Sequence, residues 1–319
     1  MTLAPISPPY VLVVGSVSID VSVSTPALPQ PGETVIGHAS LIAVGGKGAN
    51  QAVAAAVCGA ATQFVGRVGA DAFGRMVMDG LTGRNVHINE LKPVADAPTG
   101  LASIFVDDSG KNCIVVVPGA NARLMPADLA ALRPLVQHAA VVVLQCEIQV
   151  DTVYRTIEMA GASGTPVILN PAPFRDLDLR RIAPAITYLV PNETEAAQLR
   201  GQPVDTVSQA QDCASWLHGA GIECVIVTMG AQGCVAADDA PARHYPGHRV
   251  NAIDTTGAGD AFVGCLAASL ANGRSRDESI QRALLFSAMS TTRRGAQVSY
   301  PGADEFERAW SASQGSRTA

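Results

Sequence analysis

The chain has 319 residues, of which 48% are hydrophobic and 16% are charged, and its formal net charge at pH 7 is −6. A chain of this length can bury a large core, and the acidic balance argues against bulk affinity for nucleic acid or anionic membranes. The apolar runs are far shorter than the ~20 residues that span a bilayer, and the first ten residues include no basic residue of the kind that begins a secretory signal. The seven cysteines are scattered and none is spaced as C-x-x-C. These features predict a cytoplasmic protein with reduced thiols.

The N-terminal part of the chain is predicted to contain a buried strand, an outlying sheet and a helix. Residues 11–15 (VLVVG) form an apolar run that ends in glycine, which is typical of a buried parallel strand. Residues 16–44 alternate polar and apolar side chains around several prolines, which predicts strands outside the central sheet. The glycine pair at 45–46 then opens an alanine-rich helix that ends before Gly59.

A β-hairpin is predicted over residues 100–118, where LASIFV and NCIVVV flank the turn DDSG. We expect its strands to join those of residues 18–44 in a small separate sheet, a lid. Beyond residue 140, short apolar runs alternate with helical stretches, as in a parallel α/β unit. The strands are predicted at 141–144, 167–169, 188–190 and 225–228, and the helices at 150–162, 209–220, 260–271 and 277–293. The sequence therefore predicts one α/β domain over residues 1–310, with a mainly parallel sheet flanked by helices, and a disordered polar tail over residues 311–319.

Two common nucleotide-binding motifs are absent. In GGKG, Lys47 is followed by Gly48, whereas a P-loop requires Ser or Thr there. After Gly257-Ala258-Gly259, Phe262 stands where a dinucleotide-binding fingerprint has its third glycine. P-loop NTPases and nicotinamide enzymes are therefore disfavoured.

The string DTTGAGDAFVG, residues 254–264, is the strongest chemical signal in the chain. Gly257, Ala258 and Gly259 precede a helical stretch, and such a turn directs several backbone N–H groups at one point, where the helix dipole also favours an anion. Asp260 beside this point is well placed to accept a proton from a hydroxyl that attacks a phosphoryl group. The alternative is a simple helix N-cap formed by Asp260.

DTTGAGDAF (254–262) resembles the C-terminal signature of the ribokinase-like (PfkB) carbohydrate kinase family, and GGKGANQAVAAA (45–56) resembles its N-terminal signature. Shorter strings such as VGSVSID, NPAP, PNETEA and TMGAQG fit as well. The resemblance implies a three-layer α/β sandwich with a β-sheet lid, Mg-ATP as donor and a sugar hydroxyl as acceptor. The implied product is a pentose phosphorylated at its primary hydroxyl, with D-ribose as the foremost substrate.

The same resemblance implies a set of sugar-binding and catalytic residues. Asp260 matches the general base, and the backbone at Gly257, Ala258 and Gly259 matches the anion hole. The residues that match sugar contacts are Ser18, Asp20, Gly46, Lys47, Asn50, Glu147 and Asp260. Ser18 departs from the pattern, because family members that act on ribose usually carry Asn at this position. Deoxyribose, another sugar or a nucleoside therefore stays open as the substrate.

Nucleotide and metal sites are also implied by the resemblance. The nucleotide-binding set is Asn192, Thr228, Met229, Gly230, Ala231, Gln232, Gly233 and Gly259. Magnesium is expected at Asn192 and Glu195 through its waters, although Asn192 also fits a helix N-cap, and we expect the two roles to coexist. A potassium site is implied at Asp254, Thr256, Ser290, Arg293, Gly295 and Ser299.

The predicted lid suggests self-association. Its strands carry alternating apolar residues that ought to be covered, namely Val21, Val23, Ile104, Val106, Val115 and Val117. We expect a homodimer formed through the lids, as in the family. Two other function classes are disfavoured: a non-catalytic sugar-binding module, because the GAGD string is intact, and a nicotinamide enzyme, because this chain lacks the third glycine of the fingerprint.

Overall fold

The computed structural model describes residue 7 and residues 9–315, which form two sheets and ten helices. The strands are β1 (Val11–Val14), β2 (Ser18–Thr25), β3 (Ala39–Gly45), β4 (Thr62–Gly69), β5 (Val86–Val94), β6 (Gly100–Asp107), β7 (Asn112–Val117), β8 (Val141–Leu144), β9 (Val167–Leu169), β10 (Tyr188–Leu189), β11 (Cys224–Thr228), β12 (Cys234–Ala237) and β13 (Arg243–Tyr245). The large sheet has the order β13-β12-β11-β10-β9-β8-β1-β4-β5, and only its β11–β12 and β12–β13 pairs are antiparallel.

Helices cover both faces of this sheet. They are α1 (Lys47–Val57), α2 (Ala72–Thr82), α3 (Arg133–His138), α4 (Val150–Ser163), α5 (Leu179–Ile182), α6 (Glu193–Arg200), α7 (Val207–Gly219), α8 (Ala258–Ala271), α9 (Arg276–Ser290) and α10 (Ala303–Gly315). Side chains along β1 alternate between two cores: Val11 and Val13 pack with α1, α8 and α9, while Leu12 and Val14 pack with α4 and α7. The predicted three-layer sandwich is therefore confirmed.

The second sheet is the lid, which has the order β3-β2-β6-β7. Its strands match the two predicted segments, except that β3 extends one residue beyond the first to Gly45, and β6 and β7 form the predicted hairpin. The register places Val21, Val23, Val115 and Val117 on one face of the lid, and Ile104 and Val106 on the other. The six apolar residues that were expected to be covered are thus divided between the two faces of the lid.

Several local predictions are corrected by the structure. The pattern did not reveal four strands, β4, β5, β12 and β13, or three helices, α2, α3 and α5. Helix α10 runs through Gly315, so the disordered tail predicted from residue 311 is wrong as far as residue 315. Residues 316–319 lie outside the described residues, as do residues 1–6 and 8 of the predicted domain.

Of the cysteines, only Cys113 is exposed. Within the described ranges, none of the helices is long and apolar enough to cross a membrane.

The carboxyl ends of the parallel strands mark where a site can form. β1 lies between β8 and β4: the chain adds β4 and β5 on one side of β1 and then crosses over to add β8 and β9 on the other side, so the strand order reverses at β1. Ligands of open α/β sheets bind at such a switch point, outside the carboxyl ends of the strands. The segments that follow β1, β8, β9 and β10 carry Ser16, Glu147, Asn170 and Asn192 to this edge.

Candidate active site

A cavity of about 210 Å³, here called the strand-end cavity, opens at this edge of the large sheet. The residues that line it and were predicted as site residues are Lys47, Asn192, Glu195, Thr228, Gly257, Gly259 and Asp260. The other lining residues, which were not predicted as site residues, are Asn170, Ala172, Val190, Thr255 and Val263. Segments from both predicted signatures therefore meet in one place.

Asp260 lies in the first turn of α8 and is 6% exposed. Gly257 occupies the N-cap position of that helix, so the alternative in which Asp260 is a simple N-cap is wrong. Each carboxylate oxygen accepts one amide hydrogen bond: Oδ2 from Asn50 Nδ2 and Oδ1 from Gln51 Nε2, both at 2.9 Å. Burial raises the pKa of Asp260, and the Lys47 ammonium is the largest of the influences that oppose this rise. A carboxylate with a raised pKa is a better proton acceptor.

The turn before α8 requires glycine at position 257. Gly257 has a φ of 75°, and a Cβ added there would lie 2.8 Å from the Cβ of Ala296. This conformation lets α8 begin at the cavity, where the positive end of its dipole and its first N–H groups favour an anion. Of the three predicted donors, Gly257 and Gly259 line the cavity, whereas the N–H of Ala258 donates to the oxygen of Thr255 at 3.2 Å.

The glycine pair before α1 leaves room for the chain that carries Asp20. A Cβ at Gly45 would lie 2.1 Å from Asp20 Oδ2, and one at Gly46 would lie 2.6 Å from the Cα of Val17. Asp20 also accepts a 2.9 Å hydrogen bond from the hydroxyl of Ser18. Burial raises the pKa of Asp20, and the Ser18 bond opposes that rise.

Glu147 contacts the first turn of α1. Its Oε2 accepts hydrogen bonds from the Ser16 hydroxyl at 2.6 Å and from the backbone N–H of Lys47 at 3.0 Å. A carboxylate is favourable beside the N-terminus of a helix. Glu147 therefore has a structural role in addition to the predicted sugar contact.

Lys47 is the cation of the strand-end cavity. The carboxylate of Asp260 is the largest cause that raises the pKa of Lys47, and Glu147 and Glu195 add to it against the effect of burial. The ammonium therefore stays charged. The neighbouring Cys146 is fully buried, and burial raises the pKa of its thiol to about 12, so it is a neutral group at physiological pH.

Asn192 and Glu195 form a reciprocal capping box at the start of α6. Asn192 Oδ1 accepts from the Glu195 N–H at 2.8 Å, and Glu195 Oε2 accepts from the Asn192 N–H at 2.9 Å. Burial raises the pKa of Glu195. Both residues also line the cavity, so the predicted N-cap role is confirmed and is compatible with ligand contact. A carboxylate and a carboxamide that line a polar cavity fit a magnesium ion that keeps most of its waters.

The predicted nucleotide-binding stretch after β11 is divided between the surface and the core. Thr228 lines the cavity, and residues 230–232 form an exposed 3-10 turn. Met229 is 1% exposed and packs in the core, so its side chain does not line the cavity.

The residues predicted to hold potassium lie on two adjoining segments, the loop before α8 and the end of α9 with the loop that follows it. Asp254 accepts hydrogen bonds from the N–H of Gly295 at 2.8 Å and from the N–H and hydroxyl of Thr256 at 2.9 and 2.7 Å. Burial tends to raise the pKa of Asp254, but these bonds lower it. The hydroxyls of Ser290 and Ser299 donate to nearby backbone oxygens. The loops together offer one carboxylate with carbonyl and hydroxyl oxygens, a set that suits a hard cation.

Arg293 does not bring its side chain to this group, because its guanidinium pairs with Glu305 at 2.6 Å. Any contribution of Arg293 to a cation site is limited to its backbone carbonyl. The described residues hold no cluster of three or more His, Cys, Asp or Glu side chains suited to a metal.

Sequence reasoning missed several polar residues around Asp260. Gln51 contacts the carboxylate directly, and its Nε2 also donates to Asn170 Oδ1 at 3.1 Å. Asn170 in turn donates to the oxygen of Val190 at 2.8 Å. The signals were present, because Gln51 follows Asn50 in GGKGANQ and Asn170 opens NPAP, but neither string by itself indicates a contact with residue 260.

Comparison with known proteins places these residues in a family context. A family model described as pfkB family carbohydrate kinase matches residues 8–303. The chain is 38% identical over 297 residues to the deoxyribokinase of Salmonella typhimurium, with 93% of this chain and 97% of that protein covered. It is 39% identical over 296 residues to the ribokinase of Mus musculus, with 91% of each covered. A structure of Arabidopsis thaliana ribokinase complexed with ribose and ATP superposes with a TM-score of 0.87 at 31% identity, covering 94% of this chain and 98% of that one.

Proposed function

Since the chain belongs to the pfkB family of carbohydrate kinases, we propose that it transfers the γ-phosphoryl group of ATP to the primary hydroxyl of a pentose, with D-ribose as the leading substrate. The observation that carries this proposal is the placement of the buried Asp260 carboxylate beside the N-terminus of α8 and the Lys47 ammonium. A base, an anion-binding helix end and a cation are the parts that phosphoryl transfer requires from the protein.

In this proposal, Asp260 accepts the proton of the primary hydroxyl as its oxygen bonds to the γ-phosphorus. The bond between that phosphorus and the bridging oxygen of ADP breaks, and the sugar phosphate and ADP leave. The backbone N–H groups at Gly257 and Gly259 stabilise the charge on the transferred group, because they are already oriented before the reaction. Lys47 balances the negative charge that several carboxylates bring to the cavity.

ATP would bind along the segment from Thr228 to Gly233, with its phosphates directed at the start of α8. The support is that Thr228, Gly257 and Gly259 line one cavity and that the Arabidopsis ribokinase was solved with ATP. Magnesium bound to ATP would neutralise phosphate charge, and Asn192 and Glu195 would hold its waters. A potassium ion held by the Asp254 and Gly295 loops would stabilise the turn that precedes α8.

A second substrate, 2-deoxy-D-ribose, is favoured by one specific observation. Ser18 replaces the expected carboxamide, and its only donor is directed at Asp20. The site therefore offers one polar group fewer to hydrogen-bond a sugar hydroxyl. Because 2-deoxy-D-ribose has one hydroxyl fewer than D-ribose, it needs one hydrogen-bond partner fewer at this site. A deoxyribokinase is also among the relatives with 38% identity.

The experiment that tests the proposed function is an ADP-release assay with purified protein, MgATP and potassium. The acceptors are D-ribose, 2-deoxy-D-ribose and a ribonucleoside, and product identity is confirmed by mass spectrometry. Turnover with ribose supports the leading proposal, and turnover with deoxyribose alone supports the second. Turnover with the nucleoside alone would refute the pentose assignment, and sugar binding without any turnover would indicate a non-catalytic module.

We also propose that two copies associate through the lids. The lid's edge strands expose apolar side chains at Leu41, Ile42 and residues 114–117. Exposed sheet edges with apolar residues tend to pair with another chain. Light scattering tests this proposal: a dimer is expected, and a monomer at assay concentrations would contradict it.

A further inference from the structure

Two pairs of carboxamides hold the Asp260 carboxylate. Asn50 and Gln51 each donate one hydrogen bond to it, as described above. Behind each of them lies a glutamine: Gln145 Nε2 donates to Gln51 Oε1 at 2.6 Å, and Gln297 Nε2 donates to Asn50 Oδ1 at 2.9 Å. Asp260 is therefore at the centre of two short chains of directed hydrogen bonds.

The burial of these amides indicates that packing alone does not explain them. Gln51 and Gln145 are fully buried, and Asn50 and Gln297 are each 6% exposed. Burying an amide costs free energy unless its hydrogen bonds are made, so an apolar side chain would serve packing better. A Cβ at Gly15 would lie 2.1 Å from Gln145 Oε1, so the fold leaves space for this particular carboxamide.

The direction of each bond matters for the carboxylate. An amide can turn either its N–H groups or its oxygen toward Asp260, and an oxygen there would repel the ionised form. Because Gln145 donates to the oxygen of Gln51, that oxygen is held away from Asp260 and the N–H group is turned toward it. Gln297 acts on Asn50 in the same way.

We propose that Gln145 and Gln297 are positioning residues for the base: each fixes the orientation of an inner amide, so that Asp260 keeps its carboxylate ionised and aligned toward the strand-end cavity. The proposal rests on the proposed function, since it assigns the two residues a role through Asp260. Neither glutamine need touch the sugar or the nucleotide.

Other charged and titratable groups also face Asp260, and they set the background for any pH effect. They come from α1, the lid, the segment after β8, α6 and the segment before α10, and are Lys47, Asp20, Glu147, Glu195 and Tyr300. Hydrogen bonds from Asn50 and Gln51 favour the ionised form of Asp260. Loss of one such bond raises the pKa of Asp260, and the acidic limb of the kcat/KM profile then moves to higher pH.

The test compares Gln145→Leu, Gln51→Leu and the double variant with wild type, using MgATP and whichever pentose the wild type phosphorylates. Gln145→Leu is expected to lower kcat about tenfold, the effect of one hydrogen bond to a charged group, and to move the acidic limb upward. The KM for MgATP should not change. The double variant should be no slower than Gln51→Leu, because Gln145 acts through Gln51. Combining Gln145→Leu with Gln297→Leu should instead multiply their separate effects.

A matched control is available in Gln63, which is 1% exposed in β4 and donates only a 3.4 Å bond to the oxygen of Phe64. Gln63→Leu should leave the pH profile unchanged. Thermal unfolding checks each variant, and Gln145→Met, which keeps the unbranched shape, carries the test if Gln145→Leu does not fold. The inference is overturned if Gln145 variants match the Gln63 control, or if their effect persists fully in the Gln51→Leu background. The proposed function fails separately, if the wild type phosphorylates no pentose.

Discussion

Asn50 and Asp260 are 210 positions apart in the sequence, and a 2.9 Å hydrogen bond joins Asn50 Nδ2 to Asp260 Oδ2. The bond connects the two signature segments directly, because α1 carries Asn50 and α8 carries Asp260. The two helices pack closely: a Cβ at Gly264 of α8 would lie 2.4 Å from the backbone oxygen of Gln51. The position of Asp260, the proposed base, therefore depends on the α1–α8 contact as well as on the loop before α8.

Replacement of Lys47 should change the pH dependence of the reaction. The Lys47 ammonium lowers the pKa of Asp260 against the effect of burial. In Lys47→Met the pKa of Asp260 therefore rises, and more of the base is protonated at a given pH. We expect the acidic limb of kcat/KM to move to higher pH, with a larger loss of activity near pH 6 than near pH 8. A full pH profile with a limb that does not move would contradict this coupling.

Gly257 and Gly273 have nearly the same backbone conformation, so Ala substitutions at the two positions distinguish a loss of stability from a loss of activity. Gly257 has a φ of 75° and Gly273 has a φ of 74°. A Cβ added at Gly257 would lie 2.8 Å from the Cβ of Ala296, whereas a Cβ added at Gly273 would have no atom within 4 Å. Each substitution by Ala should lower the free energy of unfolding by about 1–2 kcal/mol, because alanine disfavours the left-handed conformation that both glycines adopt. Gly257→Ala alone should also lose phosphoryl transfer, because the turn before α8 must move. Equal kinetics in the two variants would refute a specific role for this turn.

The capping boxes of α6 and α7 provide another matched pair. Asn192 caps α6 at the cavity, and Thr206 caps α7 through the same arrangement with Gln209. Each substitution by Ala should lower the free energy of unfolding by about 1 kcal/mol, measured by urea denaturation. Only Asn192→Ala should raise the apparent KM for MgATP. An unchanged KM would show that Asn192 acts only as a cap.

Position 18 should tune the choice between two pentoses. Ser18 pairs across the lid with Gly45 and Gly100, and its hydroxyl donates to Asp20, so its side chain lies beside one of the predicted sugar contacts. Ser18→Asn adds a second polar group beside Asp20, and this should raise the ratio of kcat/KM for D-ribose over 2-deoxy-D-ribose by about tenfold or more. Ser18→Ala, which removes the hydroxyl, is the comparison. A ratio that is the same in all three proteins would exclude this position from substrate selection.

The fold could be predicted where the sequence pattern is simple. The strands at 141–144 and 167–169 are continuous apolar runs, and the structure has them with the same bounds. β4 was missed because Gln63 and Arg67 interrupt its apolar pattern, although tertiary contacts accommodate both: Gln63 is buried, and Arg67 pairs with Asp128. Tertiary context overrode local propensity there.

The candidate site was predictable only in part, for a similar reason. Asp260 and Lys47 lie in distinctive glycine-rich strings, so their chemistry could be inferred from the sequence. The glutamines behind the partners of Asp260 could not, because Gln145 and Gln297 lie 94 and 247 positions from the residues to which they donate hydrogen bonds. Only the tertiary packing of α1 against the segments that follow β8 and α9 brings these amides together.

The substitution Asp260→Asn tests most directly whether this carboxylate is the base. The carboxamide keeps the size of the side chain but cannot accept the hydroxyl proton. Pentose phosphorylation should fall by about 10²–10⁴-fold, while sugar binding measured by calorimetry remains detectable. Turnover within about twofold of wild type, with the sugar still bound, would contradict proton transfer to Asp260.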